Sequence, residues 1–293
     1  VRSVRSVRIS EQLLTTNHQP LTTNHQQTTN NKQQTMNTIV IFDIDGVVRD
    51  VSGSYRRAIT DTVEHFTGEA YRPTPVDIDQ LKSEGIWNND WEASQELIYR
   101  YFEAQGQPRE QLRLDYKNIV AFFQARYRGT DPENFTGYIC DEPLLLSPSY
   151  LEQLTLAGIA WGFFSGATRA SANYVLQGRL GLQSPVLVAM EDAPGKPDPT
   201  GLFATVRLLE NNIDKSAIII YLGDTVADMY TVEKARNLQP EKTWIGVGVL
   251  PPHVQETAAR RDAYAQTLRQ AGAALVLNNV QELTPAKIQQ LCY

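Results

Sequence analysis

One short run limits what this chain can fold into more than any other: Thr38-Ile-Val-Ile-Phe-Asp43-Ile-Asp45-Gly46-Val-Val. Residues 39–42 are β-branched or aromatic and show no helical period, so they read as a strand buried on both faces. Strands of that kind belong to sheets covered by helices on either side, and such sheets bind ligands at the carboxyl ends of their strands. Asp43 and Asp45 stand at that end. Two carboxylates so close are costly to keep charged unless a cation or a shared proton compensates them. Gly46 frees the chain to turn at once. A solvated turn with two incidental acids has the same local pattern, so the motif needs support from elsewhere.

Three further segments supply it. Ile159-Ala-Trp-Gly-Phe-Phe164 is a second apolar strand, running into Ser165-Gly166-Ala167-Thr168. The Ser165 hydroxyl and the Gly166 amide can surround an anionic oxygen where a helix starts, although Ser-Gly also serves as an ordinary turn and cap. Gly195-Lys196-Pro197-Asp198-Pro199 puts a lysine in a rigid loop, where a compact ammonium suits a phosphate or a carboxylate. Ser216-Ala-Ile-Ile-Ile-Tyr-Leu222 is a third buried strand, ending in Gly223-Asp224-Thr225-Val226-Ala227-Asp228. The spacing of Asp224 and Asp228 places both on one face of the following helix, within reach of one hard cation. Acids complementing a helix N-terminus would look alike.

Together, in this order, the four segments resemble the motifs of the haloacid dehalogenase superfamily, across essentially all of residues 36–293. Asp43-Ile-Asp45-Gly46 is similar to its first motif, Ser165 to its second, Lys196 to its third, and Gly223-Asp224 with Asp228 to its fourth. The long insert between the first two motifs resembles the helical cap of subfamily IA, and the chain looks closest to a small subgroup seen in cyanobacteria. The resemblance implies a doubly wound parallel α/β sheet with an inserted all-helical cap domain. It also implies Mg²⁺ held by an Asp43 carboxylate oxygen, the Asp45 main-chain carbonyl and Asp224, with Asp228 direct or through water, and phosphoryl oxygens held by Ser165, Gly166 and Lys196.

Phosphate-ester cleavage needs a nucleophile, a proton donor for the leaving oxygen and positive charge around the transferring group. Asp43 can attack phosphorus to give an aspartyl-phosphate. Asp45 can protonate the leaving group and then deprotonate the hydrolytic water. Asp45 also argues against dehalogenases and phosphonate hydrolases, which resemble this family without an acid there. The expected function is a phosphomonoesterase acting on a small phosphorylated metabolite. A phosphomutase of the β-phosphoglucomutase type and a catalytically idle regulatory protein are the alternatives. No Walker loop or dinucleotide fingerprint occurs, and outside residues 1–35 the only histidines are His65 and His253, too few for a histidine-rich zinc site.

The pattern of elements fits. Helices are expected over 54–66, with Tyr55, Ile59, Val63 and Phe66 on one stripe, and over 76–84, 90–104 and 108–128. From Ser147 onward helices and strands alternate, as a parallel α/β sheet requires. The core is therefore assigned to residues 36–52 and 140–293 and the cap to 53–139. Between the first two cap helices, Trp87, Asn88, Asn89 and Asp90 are candidates for substrate specificity. Asn89 with Glu92 also reads as a capping box, and Trp91 as cap packing. Arg56, Arg57 and Lys82 are further candidate anion contacts.

Residues 1–35 are different material: Leu-Thr-Thr-Asn-His-Gln recurs from Leu14 and Leu21, and the stretch is rich in Thr, Asn and Gln. They are expected to be a disordered tail arising from a translated tandem repeat, with the folded protein starting at Met36. The chain carries a formal charge of -6. The tail holds Arg2, Arg5, Arg8 and Lys32 against Glu11, so the remainder is more acidic still. That is a poor surface for nucleic acid. No run of about 20 apolar residues suggests a membrane span. Cys140 and Cys292 form no CxxC and fit reduced thiols of a cytoplasmic protein.

Overall fold

The computed structural model describes residues 37–131, 134–210 and 216–292. The expectation for residues 1–35 lies outside the described residues. Six parallel strands form one sheet: β1 (Thr38–Phe42), β2 (Ala160–Phe164), β3 (Leu187–Val188), β4 (Ile218–Gly223), β5 (Trp244–Val249) and β6 (Leu275–Leu277), in the order β3-β2-β1-β4-β5-β6. β1 is therefore central, with Phe42 opposite Phe163 of β2 on one side and Leu222 of β4 on the other. The chain runs outward from β1 to β3 and then returns to β4. This reversal creates a crevice beside β1, where ligands bind in open α/β sheets.

Both faces of β1 are apolar because alternate residues serve different cores. Val40 and Phe42 join Tyr150, Leu151, Leu176 and Ile288 on one face. Ile39 and Ile41 join Leu202, Val206, Tyr221 and Val232 on the other. The first layer contains α5 (Pro148–Leu156), α6 (Arg169–Asn173) and α10 (Pro285–Cys292), and the second α7 (Thr200–Leu209) and α8 (Val226–Leu238). α9 (Ala258–Gln270) covers the β5–β6 edge with a smaller cluster built on Leu268 and Met229.

Four helices make the cap: α1 (Tyr55–Phe66), α2 (Pro75–Lys82), α3 (Asp90–Ala104) and α4 (Tyr116–Tyr127). They have their own core of Tyr55, Ile59, Val63, Ile78, Leu97, Ile119 and Phe123. Phe66 only packs against its edge. The expected helix over 108–128 is broken. A 3-10 turn at Arg109–Gln111 is followed by extended chain, and the Asp115 side chain then caps α4 by accepting from the Lys117 amide. The segment after β2 is not a uniform α-helix either: α6 widens into a π-helical stretch at Tyr174–Arg179 that contains the poor helix former Gly178.

The two crossings between core and cap run side by side. The Leu145 amide donates to the Val48 carbonyl and the Asp50 amide to the Pro143 carbonyl, both at 2.8 Å. Cys140 and Cys292 are free thiols. Among the described residues no helix is long and apolar enough to cross a membrane.

Candidate active site

The sheet brings the sequence motifs to one end. Asp43 follows β1 directly, and its amide continues the ladder by donating to the Leu222 carbonyl at 2.8 Å. One of its oxygens, Oδ1, accepts from the Ile44 amide at 2.7 Å, and the other, Oδ2, pairs with Lys196 Nζ at 2.8 Å. Gly46 has φ 73°, and a Cβ there would sit 2.1 Å from Asp224 Oδ2. Only glycine lets the turn after β1 approach the end of β4 this closely.

Lys196 is the hub. Its buried ammonium also pairs with Asp228 Oδ1 at 2.7 Å. Burial alone would lower the lysine pKa, but Asp228 and Asp43 overcome it and hold the group protonated above its ordinary range. Asp228 reaches this position by a route the spacing does not reveal. Asp224 precedes α8 rather than lying on it, and Asp228 is the third residue of a capping box with Thr225. Its oxygens accept from Lys196, from the Tyr221 hydroxyl at 2.9 Å, and from the Thr225 amide and hydroxyl at 2.9 and 2.6 Å. Burial opposes this carboxylate, but Lys196 and Thr225 outweigh it and lower its pKa. A Cβ at Gly223 would lie 2.2 Å from Asp228 Cβ, so this turn too is packed to contact.

Asp224 has no such partners. Among the described residues its carboxylate makes no ion pair and no side-chain hydrogen bond, and Tyr264 donates only to its main-chain oxygen. Burial, then Asp228 and Asp43, push its pKa well above the usual carboxylate range. Burial likewise pushes Asp43 up to about 7, with Lys196 pulling down and Asp228 and Asp45 pushing further. Oxygens of Asp43, Asp224 and Asp228 lie within 4.8 Å of one another. Three carboxylates against one ammonium, with an all-oxygen donor set, fit a hard divalent cation such as Mg²⁺.

A cavity of about 90 Å³ opens over Asp43, Asp45 and Asp224. Gly166, Thr168 and Thr225 contribute to its wall from the core, and Tyr55, Arg56, Ile59, Lys82, Asn88, Asn89, Asp90 and Trp91 from the cap. Ser165 is buried, and its Oγ accepts from the Ala167 amide at 3.1 Å. It lines an adjoining hollow with Gly166, Asn88 and Lys196.

The cap candidates separate. Asn88 lines both cavities, and its Nδ2 lies 3.2 Å from where a Gly166 Cβ would be. Asn89 caps α3 by accepting from the Trp91 and Glu92 amides. Asp90 is paired with Lys82 at 2.5 Å. Trp87 does not line the catalytic cavity; its indole donates to Glu84 at 2.7 Å. Arg57 lies 4.1 Å over the Tyr138 ring, away from that cavity.

Arg56, a candidate anion contact from the sequence, instead joins an ion-pair set whose other members sequence reasoning passed over. Asp79 of α2 pairs with Arg56 of α1 at 2.5 Å, and across to the core with Arg260 at 2.6 Å and His253 at 3.4 Å. These partners are up to 181 positions apart, so no local pattern announces them. His253 and Tyr264 also line the catalytic cavity.

A central strand ending in a carboxylate, a buried lysine behind it and an acid at the end of the neighbouring strand mark an α/β protein with an acidic site beneath a helical cap. A family model described as haloacid dehalogenase-like hydrolase matches residues 38–236, and the chain belongs to that family. It is 29% identical over 262 residues to an imidazoleglycerol-phosphate dehydratase of Phytophthora nicotianae. That match covers 84% of this chain and 52% of the relative, so the chain spans about half the length of the curated relative it matches. Among solved structures, it is similar to a phosphonoacetaldehyde hydrolase-like protein of Oleispira antarctica, with a TM-score of 0.63, 18% identity, and coverage of 87% of this chain and 92% of the other. The phosphatase Tt82 of Thermococcus thioreducens gives a TM-score of 0.56 at 23% identity, covering 79% and 99%. A beta-phosphoglucomutase from Bacteroides vulgatus, so named provisionally, gives 0.56 at 12%, covering 88% and 90%. At these identities the structures share the fold.

Proposed function

We propose that this hydrolase is a Mg²⁺-dependent phosphomonoesterase that cleaves a small phosphorylated metabolite through an aspartyl-phosphate on Asp43. One observation carries the reading: the Asp43 carboxylate stands at the end of the central strand, paired with Lys196 and open to the cavity. Asp43 is held by the Ile44 amide through Oδ1, which fixes the carboxylate for in-line attack by Oδ2. Lys196 sits against that oxygen, and as the carboxylate is consumed its ammonium is available to the transferring phosphoryl oxygens. The Gly166 amide and the Ser165 hydroxyl are the donors for the remaining oxygens. Asp45 gives its proton to the leaving oxygen and takes one from the water that hydrolyses the acyl phosphate. Mg²⁺ would be held by Asp43, the Asp45 carbonyl and Asp224, with Asp228 direct or through water, and would supply the positive charge that lets a dianionic ester enter an acidic site.

The small cavity and its Asn88, Arg56 and Trp91 wall favour a compact polar leaving group. The Phytophthora relative is named for imidazoleglycerol phosphate, itself a small phosphate monoester, which makes that compound and similar esters the first substrates to test. The test is phosphate release from a panel of small phosphate esters, with Mg²⁺ or EDTA, by the unaltered chain and Asp43→Asn. The reading expects release that needs Mg²⁺ and vanishes in the variant. Release without metal, or undiminished in Asp43→Asn, would refute it, and turnover only with a bisphosphate activator would make the protein a phosphomutase.

A further inference from the structure

Arg49 lies four residues beyond Asp45, and its side chain is wholly buried. A buried guanidinium must be paired, because it stays charged at every accessible pH. It is paired twice. Nε donates to Asp45 Oδ1 at 2.6 Å, and Nη1 donates to Glu142 Oε2 at 2.9 Å. Glu142 belongs to the returning crossing and also accepts from the Ser54 hydroxyl, just before α1. The guanidinium is further flanked by the stacked rings of Tyr55 and Tyr127, whose centroids lie 5.4 and 5.9 Å from its carbon.

The grip on Asp45 is one-sided. Nη2 also lies 2.5 Å from Oδ1, yet makes no hydrogen bond of its own. A bidentate fork would occupy both carboxylate oxygens. Here both contacts fall on Oδ1, so Oδ2 is left for the reacting group, and Asp45 lines the catalytic cavity. The groups that hold the guanidinium from beyond the turn after β1 come from the returning crossing (Glu142) and from the first and last cap helices (Tyr55 and Tyr127). The position of Asp45 is thereby tied to the seating of the cap.

We infer that Arg49 is a positioning residue for Asp45: by holding Oδ1 from a guanidinium locked between the two crossings by Glu142, Tyr55 and Tyr127, it aims Oδ2 at the leaving oxygen. The inference rests on the acid role proposed for Asp45. A stray ion pair that only staples the crossings would make a different prediction, because only a positioning role depends on the leaving group.

The experiment compares kcat/KM for benzyl phosphate, whose alkoxide needs a proton to depart, with that for 2,4-dinitrophenyl phosphate, whose phenolate does not. With Mg²⁺ present, Asp45→Asn should lower the benzyl value by roughly 10²- to 10⁴-fold while barely changing the dinitrophenyl value. Arg49→Lys keeps the buried positive charge but cannot reach both carboxylates with a fork. It should show the same split, with a loss on benzyl phosphate of about tenfold or more. Glu142→Gln, which removes a charge and keeps the shape, should shift the ratio severalfold in the same direction and decides the matter if Arg49→Lys does not fold. Equal losses on both esters, or an unchanged ratio in the folded variants, would overturn the role of Arg49. If Asp45→Asn itself shows no split, the acid role proposed for Asp45 fails instead. If the unaltered protein turns over neither ester, the phosphatase reading fails and this inference falls with it.

Discussion

Replacing Asp224 by Asn should stabilise the metal-free protein, the opposite of what removing a well-paired buried carboxylate does. Asp224 faces the carboxylates of Asp43 and Asp228 and the single ammonium of Lys196, which those two acids already engage. For unit charges no more than 4.8 Å apart and an effective dielectric of about 20, each repulsion is worth at least about 3.5 kcal/mol. Two repulsions against one attraction leave about one uncompensated. Proton uptake by the cluster relieves part of it, so the isosteric amide should gain about 1–3 kcal/mol, seen as a rise of roughly 3–8 °C in Tm. The sign with pH follows from the raised pKa of Asp224. The folded carboxyl holds its proton more tightly than the unfolded one, so the penalty is absent in acid and grows as pH rises above the ordinary carboxylate range. Thermal melts in EDTA should therefore show a gap between variant and parent that widens with pH. Adding Mg²⁺ should raise the parent's Tm, because the ion binds the folded state, and should leave the variant nearly unmoved. A variant that melts lower than its parent in EDTA, or still responds fully to Mg²⁺, would refute the charge argument.

Lys196→Met should abolish turnover and cost about 3–5 kcal/mol in metal-free melts, since it strands two buried carboxylates. The two cap asparagines should behave differently: Asn89→Ala should lose about 1 kcal/mol of stability as an emptied helix cap, with little change in KM. Asn88→Ala should instead raise KM for the best substrate of the panel with little change in Tm; the reverse pattern would contradict the cavity geometry. Burial opposes the charge on Asp79, but His253, Arg56 and Arg260 overcome it and hold its carboxyl well below the usual range. Its stabilisation is thus full above about pH 4 and lost on further acidification. Melts at pH 7 and pH 3 should show a larger drop for the parent than for Asp79→Asn, and equal drops would count against the cap-to-core contact.

The sheet and its ligand-binding end were legible because buried parallel strands leave a clear mark: short apolar runs that stop at Asp43, Ser165 and Gly223-Asp224. Lys196 was legible by a different sign, its place between a glycine and two prolines in a rigid loop. What the sequence hides is how side chains divide the work. Asp224 and Asp228 look equivalent by spacing, yet Asp228 is tied by Thr225, Tyr221 and Lys196 while the Asp224 carboxylate has no ion pair among the described residues. Asn88 and Asn89 are adjacent, yet one lines the cavity and the other caps a helix. Arg49 follows Val47-Val48 and precedes Asp50, and nothing local marks it as buried; its pairing depends on Glu142, 93 residues away. The break before α4 is not announced by any strand-like run within 108–128, and the capping role of Asp115 shows only once Tyr116 begins the helix.

The covalent step on Asp43 is the central claim, and trapping it is its most direct test. The protein would be mixed with Mg²⁺ and its best substrate from the panel, quenched within the first turnover and treated with borohydride, which reduces an acyl phosphate to an alcohol. Peptide mass spectrometry should then find homoserine at position 43 in the unaltered chain and none without substrate. Turnover at full rate with Asp43 unmodified, or with the label on another carboxylate, would contradict the account.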